Sequence, residues 1–421
     1  MKKIPSESNL SKVRTACRVC TGRDLVPVLS LAPTAPANAF LVKQDLEKPE
    51  PFFPLDLHFC RACSFVQLRD VVSPDLLFRN YIYVSSTSPS FVAHFEELAE
   101  VISKRFSFPK NALVVDIGSN DGILLKPFKK LGFRVLGIDP AEKIAREATA
   151  EGIETIPEFF TPALAKIISE KHSKATFVTA TSAFPHIDDL DAIVEGVRTL
   201  LAPDGIFMIE AYYLGDLILK NLFDTIYHEH LSYFTVRTAI ALFKRLGMEV
   251  FDVEKTDTHG GSLRIFAQVE GGPRTIQRAH IEKFLKEETK NKLHEPLTYQ
   301  NFSHKIQENK EALTELLSDL KKKGKTIVGY GAPAKGTTLL THFGIGRETL
   351  DYVVDDSHWK QGLYMPGNHI PVFSSAKLTE KNPDYILILA WNFAEPIMNK
   401  LASFKAGGGK FIIPVPQPTI V

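Results

Sequence analysis

The stretch Val114–Gly122, VVDIGSNDG, followed by Val135–Pro140, VLGIDP, decides the fold. Val114 and Val115 open a short apolar run of the buried-strand kind. Gly118 and Gly122 frame a tight turn, where the missing Cβ lets backbone come close to a ligand. A second apolar run ends at Asp139, about 20 residues on, where a carboxylate can accept both hydroxyls of a ribose. Strand, glycine turn, helix, strand and acid point to a Rossmann-type α/β unit and a nucleoside-containing ligand. The turn lacks the middle glycine of a dinucleotide fingerprint. Asp116, just before it, would repel a pyrophosphate and attract a sulfonium or an ammonium group.

The order D-x-G-x-N-x-G at Asp116, Gly118, Asn120 and Gly122, then G-x-D ending at Asp139, resembles the S-adenosylmethionine site of Rossmann-type methyltransferases. That resemblance implies that these five residues bind the cofactor. The alternative is a strand–turn–helix without a ligand, which would need four features to coincide.

A chain of 421 residues is long for one core, so two or three domains are expected. Its 44% apolar and 24% charged residues are ordinary for a soluble globular protein. A net charge of +1 argues against nucleic acid as the main partner, which would want a basic face. No apolar run approaches the ~18 residues of a membrane span. The start, MKKIPSESNLSK, is polar, expected to be loose, and lacks the apolar stretch of a secretory signal. A cytoplasmic location follows as the expectation.

All four cysteines precede residue 64, as Cys17-x-x-Cys20 and Cys60-x-x-Cys63. Two such knuckles can bring four thiolates to one zinc, with Zn–S bonds of about 2.3 Å. Two disulfides or four free thiols are the other readings. A four-thiolate shell is closed, so the zinc would be structural. Arg18 and Arg61 would offset its negative charge. The Pro/Ala-rich stretch Leu31–Phe40 reads as an ordered loop of a small β-rich domain.

Further candidates follow in chain order. Tyr81 and Tyr83 lie on a Tyr/Ser-rich link that either folds over the site mouth or simply packs. A helical pattern runs from Phe91 to Phe106. His186 sits on the loop after the strand at Phe177, on the ligand side of an open α/β sheet. Tyr227-His228-Glu229-His230 packs acid–base groups more densely than packing needs, and its spacing is not the H-E-x-x-H of a helical zinc site. His259-Gly260-Gly261-Ser262-Leu263-Arg264 turns into a strand, with Arg264 available to an anion. Residues 275–324 read as charged helices joining two domains. A second strand–turn–helix begins at Gly329-x-Gly331-x-x-Ala334. That pattern fits NAD, a nucleotide diphosphate or mere helix–sheet packing, and Lys335, at a helix start where free N–H groups attract anions, favours a phosphate site.

Together these motifs resemble the nucleotide-sugar C-methyltransferases of deoxysugar pathways, over nearly the whole chain. The resemblance rests on the four cysteines, VVDIGSNDG, YHEHLSYF, HGGSLR, and GYGAPAKG with Asp355-Asp356-Ser357 and Lys360-Gln361-Gly362. It implies methyl transfer from S-adenosylmethionine to a carbon beside the ketone of an NDP-hexose. His230 would be the base, Glu229 would orient or strengthen an imidazole, and Tyr227 and His186 would bind oxygens. Tyr81 would position the sugar, with Tyr83 as substitute. The backbone of Gly331–Gly336, with Lys335, would hold the nucleotide. The expected fold is α/β: a zinc-binding domain (1–75), a Rossmann-type methyltransferase core (76–270) and a second Rossmann-like domain holding the nucleotide (271–421), acting as a monomer. Small-molecule O-methylation and a non-catalytic nucleotide-sugar-binding protein are the alternatives.

Overall fold

The structure, a computed structural model, describes residues 10–87 and 89–421. Most of the N-terminal stretch expected to be loose lies outside the described residues. The part within them is ordered, since Ser11–Val13 pairs antiparallel with Asp70–Val72.

Seven strands form the central sheet: β1 (Leu113–Ile117), β2 (Arg134–Ile138), β3 (Thr155–Ile156), β4 (Ala175–Thr181), β5 (Leu201–Tyr212), β6 (Met248–Thr256) and β7 (Ser262–Val269). Their order is β6-β7-β5-β4-β1-β2-β3. The run from β3 to β5 is parallel, while β7 is antiparallel to both neighbours. Every residue of β1 is buried, because helices cover both faces of a parallel sheet. The chain leaves β1 towards β2 on one side and returns at β4 on the other. The crevice outside those two carboxyl ends is where an open α/β sheet takes its ligand. Asp116 on β1 stands level with Thr179 on β4 there. The helix expected over 91–106 runs from Pro89 to Phe106, and its buried Leu98, Ala99 and Ile102 pack on this sheet.

Two long helices, Arg278–Lys290 and Pro296–Lys322, lead to a second sheet. Its strands are β8 (Ile327–Tyr330), β9 (Val353–Val354), β10 (Val372–Phe373), β11 (Tyr385–Ile388), β12 (Lys410–Ile413) and β13 (Thr419–Ile420). The order β10-β9-β8-β11-β12-β13 is again doubly wound, with only β13 antiparallel. None of the described helices is long and apolar enough to cross a membrane.

The cysteine-bearing end holds a four-stranded antiparallel sheet: Leu25–Thr34, Phe53–Cys60, Val66–Leu68 and, from far downstream, Ser232–Tyr233. The last strand pairs Ser232 with Gln67 and Tyr233 with Val66. It therefore pins the end of the YHEHLSYF stretch to the N-terminal sheet. The four Sγ atoms lie within 4.8 Å of one another, with Cys17 to Cys63 and Cys20 to Cys60 both at 3.6 Å. A disulfide would bring two of them to about 2.05 Å. Four sulfurs on a tetrahedron of about 2.3 Å bonds lie about 3.8 Å apart, which fits one zinc and leaves no ligand position open.

Arg18 lies within electrostatic reach of Cys17, as expected, but its side-chain hydrogen bonds go elsewhere. Its buried guanidinium donates to the Leu68 carbonyl at 2.6 Å, to Gln67 Oε1 at 3.2 Å and to Asp188 Oδ1 at 3.1 Å. Asp188 follows the loop that bears His186, so the knuckle is tied to the candidate site by an ion pair from the buried Arg18 to a partly buried carboxylate. Arg61 stays exposed.

Cys60→Ser breaks the closed shell. It is expected to release zinc to a chelator that the unaltered protein withstands, and to lower the melting temperature, because the knuckle braces Arg18. Retention of a full equivalent of zinc under chelator would contradict this geometry.

Candidate active site

Two connected hollows lie at the carboxyl ends of β1, β2 and β4. A cleft of about 470 Å³ is lined by Gly118, Ile138, Asp139, Phe159 and Phe160. A cavity of about 200 Å³ reaches from Asp116 to Tyr212, Tyr227 and His230, and on to Lys335 and Lys360 of the second sheet. Tyr81, Tyr83, Asn120 and His186 line both.

The glycine turn is shaped as its sequence predicts. Gly118 has φ +75°, and a Cβ there would sit 2.5 Å from Ala183 Cβ. Asn120 also takes a positive φ of 50°. Its side chain clips the 81–87 link over the turn, accepting from Ser85 N at 2.9 Å and donating to the Tyr83 carbonyl at 3.0 Å. The Asp139 carboxylate accepts from Asn120 N and Ala141 N, both at 2.8 Å, which fixes it at the strand end. Asp116 is 2% exposed, and burial pushes its carboxyl up to about 7 against a 2.6 Å hydrogen bond from Thr179. A sulfonium placed beside it would restore the anion. Asp139 in the cleft, for a ribose, and Asp116 in the adjoining cavity, for a cation, fit S-adenosylmethionine. Gly122 lines neither hollow. Its positive φ lets the turn pass Ile153, whose Cγ2 would lie 2.9 Å from an added Cβ.

The Tyr227–His230 stretch forms no helix. After a 3₁₀ turn at Phe223–Thr225 it crosses the interior as irregular chain, so each polar side chain has its own direction. His228 turns away, its Nε2 lying 3.2 and 3.1 Å from the Phe53 and Pro54 carbonyls. His230 turns into the cavity, its Nδ1 at 2.6 Å from the Thr225 carbonyl. A carbonyl only accepts, so Nδ1 carries the proton and Nε2 is the basic nitrogen. The imidazole lies 3.9 Å from the Tyr227 ring and 5.1 Å from that of His186. The His186 loop is held to this segment by Leu231 N donating to the Pro185 carbonyl at 3.0 Å. Burial holds the Tyr227 hydroxyl far above its usual range, so it remains a proton donor.

Glu229 grips neighbours other than an imidazole. It accepts from Tyr81 OH at 2.8 Å and from Asn38 Nδ2 at 2.7 Å, and burial raises its carboxyl to about 7. Tyr81, from the link, and Asn38, from the Pro/Ala-rich loop, are thereby fixed in the cavity wall.

The second sheet contributes Lys335. Its ammonium donates to Asn392 Oδ1 and lies 3.6 Å from the centre of the Trp391 ring. Burial lowers its pKa to about 8, which the Asp224 charge opposes. Gly331 and Gly336 do not line the cavity. An added Cβ on Gly331 would meet Ala390 Cβ at 2.6 Å, so that glycine serves the passage of β8 beside the loop after β11.

Arg264 corrects the expectation of an anion-binding residue. It lines neither hollow, and its guanidinium is taken by Glu210 Oε2 at 2.8 Å and Glu254 Oε2 at 3.3 Å. Strand β7 lies between β5 and β6, which brings one of these carboxylates level with Arg264 from each side.

Asn38, Tyr212, Lys360, Asn392 and Phe393 also line the cavity and were not among the sequence candidates. Tyr212 ends β5 and Asn392 follows β11, so the rule that ligands meet strand carboxyl ends points to both. Asn38 carries only a weaker signal, a polar side chain in an otherwise apolar loop.

Known proteins resemble the chain along its length. Successive segments match family models for a zinc binding domain (17–78), a methyltransferase domain (92–253) and a C-methyltransferase C-terminal domain (257–416). The C-methyltransferase NovU of Streptomyces niveus is 38% identical over 405 residues, 96% of either chain. A ubiquinone biosynthesis O-methyltransferase of Methylobacterium sp. (strain 4-46) is 30% identical over 95 residues, 22% of this chain and 38% of that one. Among solved structures, magnesium protoporphyrin IX methyltransferase of Synechocystis PCC 6803 with bound SAM covers 43% of this chain and 79% of its own, at 16% identity and TM-score 0.33.

Sheet, turn and paired carboxylates define an S-adenosylmethionine-dependent methyltransferase that carries a structural zinc. Within that class the chain belongs to the C-methyltransferase family, and it transfers its methyl group to carbon.

Gly118→Ala is expected to weaken S-adenosylmethionine binding at least tenfold by calorimetry, since the new methyl must displace Ala183 in a backbone region that disfavours it. Unchanged affinity would show that the cofactor does not approach this turn.

Proposed function

We propose that the protein methylates an NDP-activated keto-deoxyhexose at a carbon beside its ketone, as a step in making branched deoxysugars. The observation that carries this reading is His230 in its cavity: an imidazole locked by Thr225 with Nε2 basic, next to hydroxyl and imidazole donors.

A C–H bond beside a ketone is acidic enough only when the enolate is stabilised. His230 takes the proton, and the electron pair moves onto the ketone oxygen as the enolate forms. Tyr227 and His186 donate hydrogen bonds to substrate oxygens. Tyr81, held by Glu229, positions the sugar ring against His230. Asp116, Gly118, Asn120 and Asp139 would hold S-adenosylmethionine, which would supply a methyl group made electrophilic by its sulfonium.

The far end of the cavity suits the nucleoside diphosphate. Lys335 and Lys360 both reach it, and the Lys360 ammonium has a single hydrogen-bond acceptor among the described residues, the Ala332 carbonyl at 2.8 Å. Two buried ammonium groups answer the charge of a diphosphate better than that of a neutral acceptor. Binding energy gained there can hold the distant sugar in a reactive position. Asn38, Tyr81, His230 and Lys335 come from separate parts of one chain, so one chain builds the cavity and a monomer suffices.

His230→Ala is expected to bind S-adenosylmethionine normally and to lose solvent exchange of the substrate α-proton by a factor of about 10² or more. Unchanged exchange would remove His230 as the base. The same keto-sugar without its nucleotide should lose turnover as well as affinity, and equal kinetics with the free sugar would reject the role of Lys335 and Lys360.

A further inference from the structure

The 3₁₀ turn Phe223–Thr225 does not line the acceptor cavity, yet it touches the machinery at both ends. At one end the Thr225 carbonyl takes the His230 Nδ1 proton at 2.6 Å. At the other, Asp224 Oδ2 accepts from the Trp391 indole N–H at 2.6 Å. The face of that indole underlies the Lys335 ammonium at 3.6 Å, and the adjacent Asn392 takes a hydrogen bond from the same ammonium. The turn is also fastened to the helix Ala334–Phe343 that bears Lys335. Phe223 stacks on Phe343 at 5.0 Å, and Thr338 Oγ1 donates to the Ile226 carbonyl at 3.0 Å.

Asp224 is an expensive residue to keep in this place. It is 0% exposed, and its Oδ1 has no hydrogen-bond partner among the described residues. A buried carboxylate short of partners destabilises a fold unless its charge is matched. The opposite charge here is Lys335, across the indole, and burial raises the Asp224 carboxyl to about 6 while Lys335 draws it down. Asparagine would hold the indole equally well, so the indole alone does not explain a carboxylate.

We propose that Asp224 is a positioning residue that sets both ends of the acceptor cavity: its charge and its hydrogen bond to Trp391 hold the Lys335 ammonium, and its turn holds the His230 imidazole. The anion at Lys335 is taken to be the diphosphate of the substrate, so in that part the proposal rests on the function proposed above. Binding at the anion end and proton removal at the base then share one rigid element.

The two contributions separate by substitution. Asp224→Ala loses both charge and acceptor, and is expected to raise KM for the NDP-keto-sugar at least tenfold and to slow α-proton exchange at saturating substrate at least tenfold. Asp224→Asn keeps an acceptor oxygen for the indole, so exchange should recover to within about threefold of the parent while KM stays raised. Trp391→Phe should raise KM as Asp224→Ala does. S-adenosylmethionine affinity should stay within twofold throughout. An Asp224→Ala protein with unchanged KM, or an Asp224→Asn protein that exchanges no faster than Asp224→Ala, overturns the proposal. A loss of cofactor affinity in step with KM in all three variants also overturns it, as general damage to the fold.

Affinity for inorganic pyrophosphate, measured by calorimetry, tests the anion end without the sugar. It should fall at least fivefold in Asp224→Ala, and an unchanged value overturns the proposal. Failure of the unaltered protein to turn over any NDP-keto-sugar, with pyrophosphate binding still sensitive to Asp224, would refute the substrate reading alone.

Discussion

Burial of a polar segment governs this structure. From Asp224 to Ser232 the chain carries acids, histidines and hydroxyls through an interior where three sheets meet, and Asp224, His228, Glu229 and His230 are each at most 3% exposed. Side chains of this kind are costly to bury without partners, so other parts of the chain must supply them. The N-terminal loop gives Asn38, the link gives Tyr81, the strand before Cys60 gives two carbonyls, and the second sheet gives Trp391. The site is the place where those obligations are met, which is why no single sheet could carry it.

The zinc has a place in the same logic. The four cysteines line neither hollow, but their knuckle carries Arg18, which holds Asp188 beside the His186 loop. The sheet built on that knuckle also receives the strand Ser232–Tyr233. The cysteine knuckle is thereby joined to both segments that bring the His186 and His230 rings to 5.1 Å. The segments expected to fold as separate domains share cores as well. Cys17, Cys60 and Phe65 pack with the central sheet, and Leu29, Leu57 and Val66 pack in one cluster with the second.

Features set by local sequence were legible before the fold was known. The glycine turn, the acid at the next strand end and the paired cysteines each follow from neighbours within a few residues, and the structure puts Gly118, Asn120 and Asp139 along one hollow. What sequence did not reveal depends on distant partners. Arg264 reads as a free cation until the strand order brings Glu210 and Glu254 beside it. Glu229 reads as the neighbour of two histidines, yet irregular backbone sends it to Tyr81 and Asn38, 148 and 191 residues away. The resemblance singles out His230 over His228, but the contacts that orient the two rings, carbonyls at Phe53, Pro54 and Thr225, come from the fold. Asp224, one acid among 49, shows nothing unusual until its indole partner arrives from the second sheet.

The most direct test of the account is incubation of the purified protein with methyl-labelled S-adenosylmethionine and a panel of NDP-4-keto-6-deoxyhexoses, with products read by mass spectrometry and NMR. The account predicts one labelled methyl, bonded to a carbon beside the ketone and retained after acid hydrolysis. Cofactor binding without transfer to any member of the panel, or a label bonded to oxygen, would contradict it.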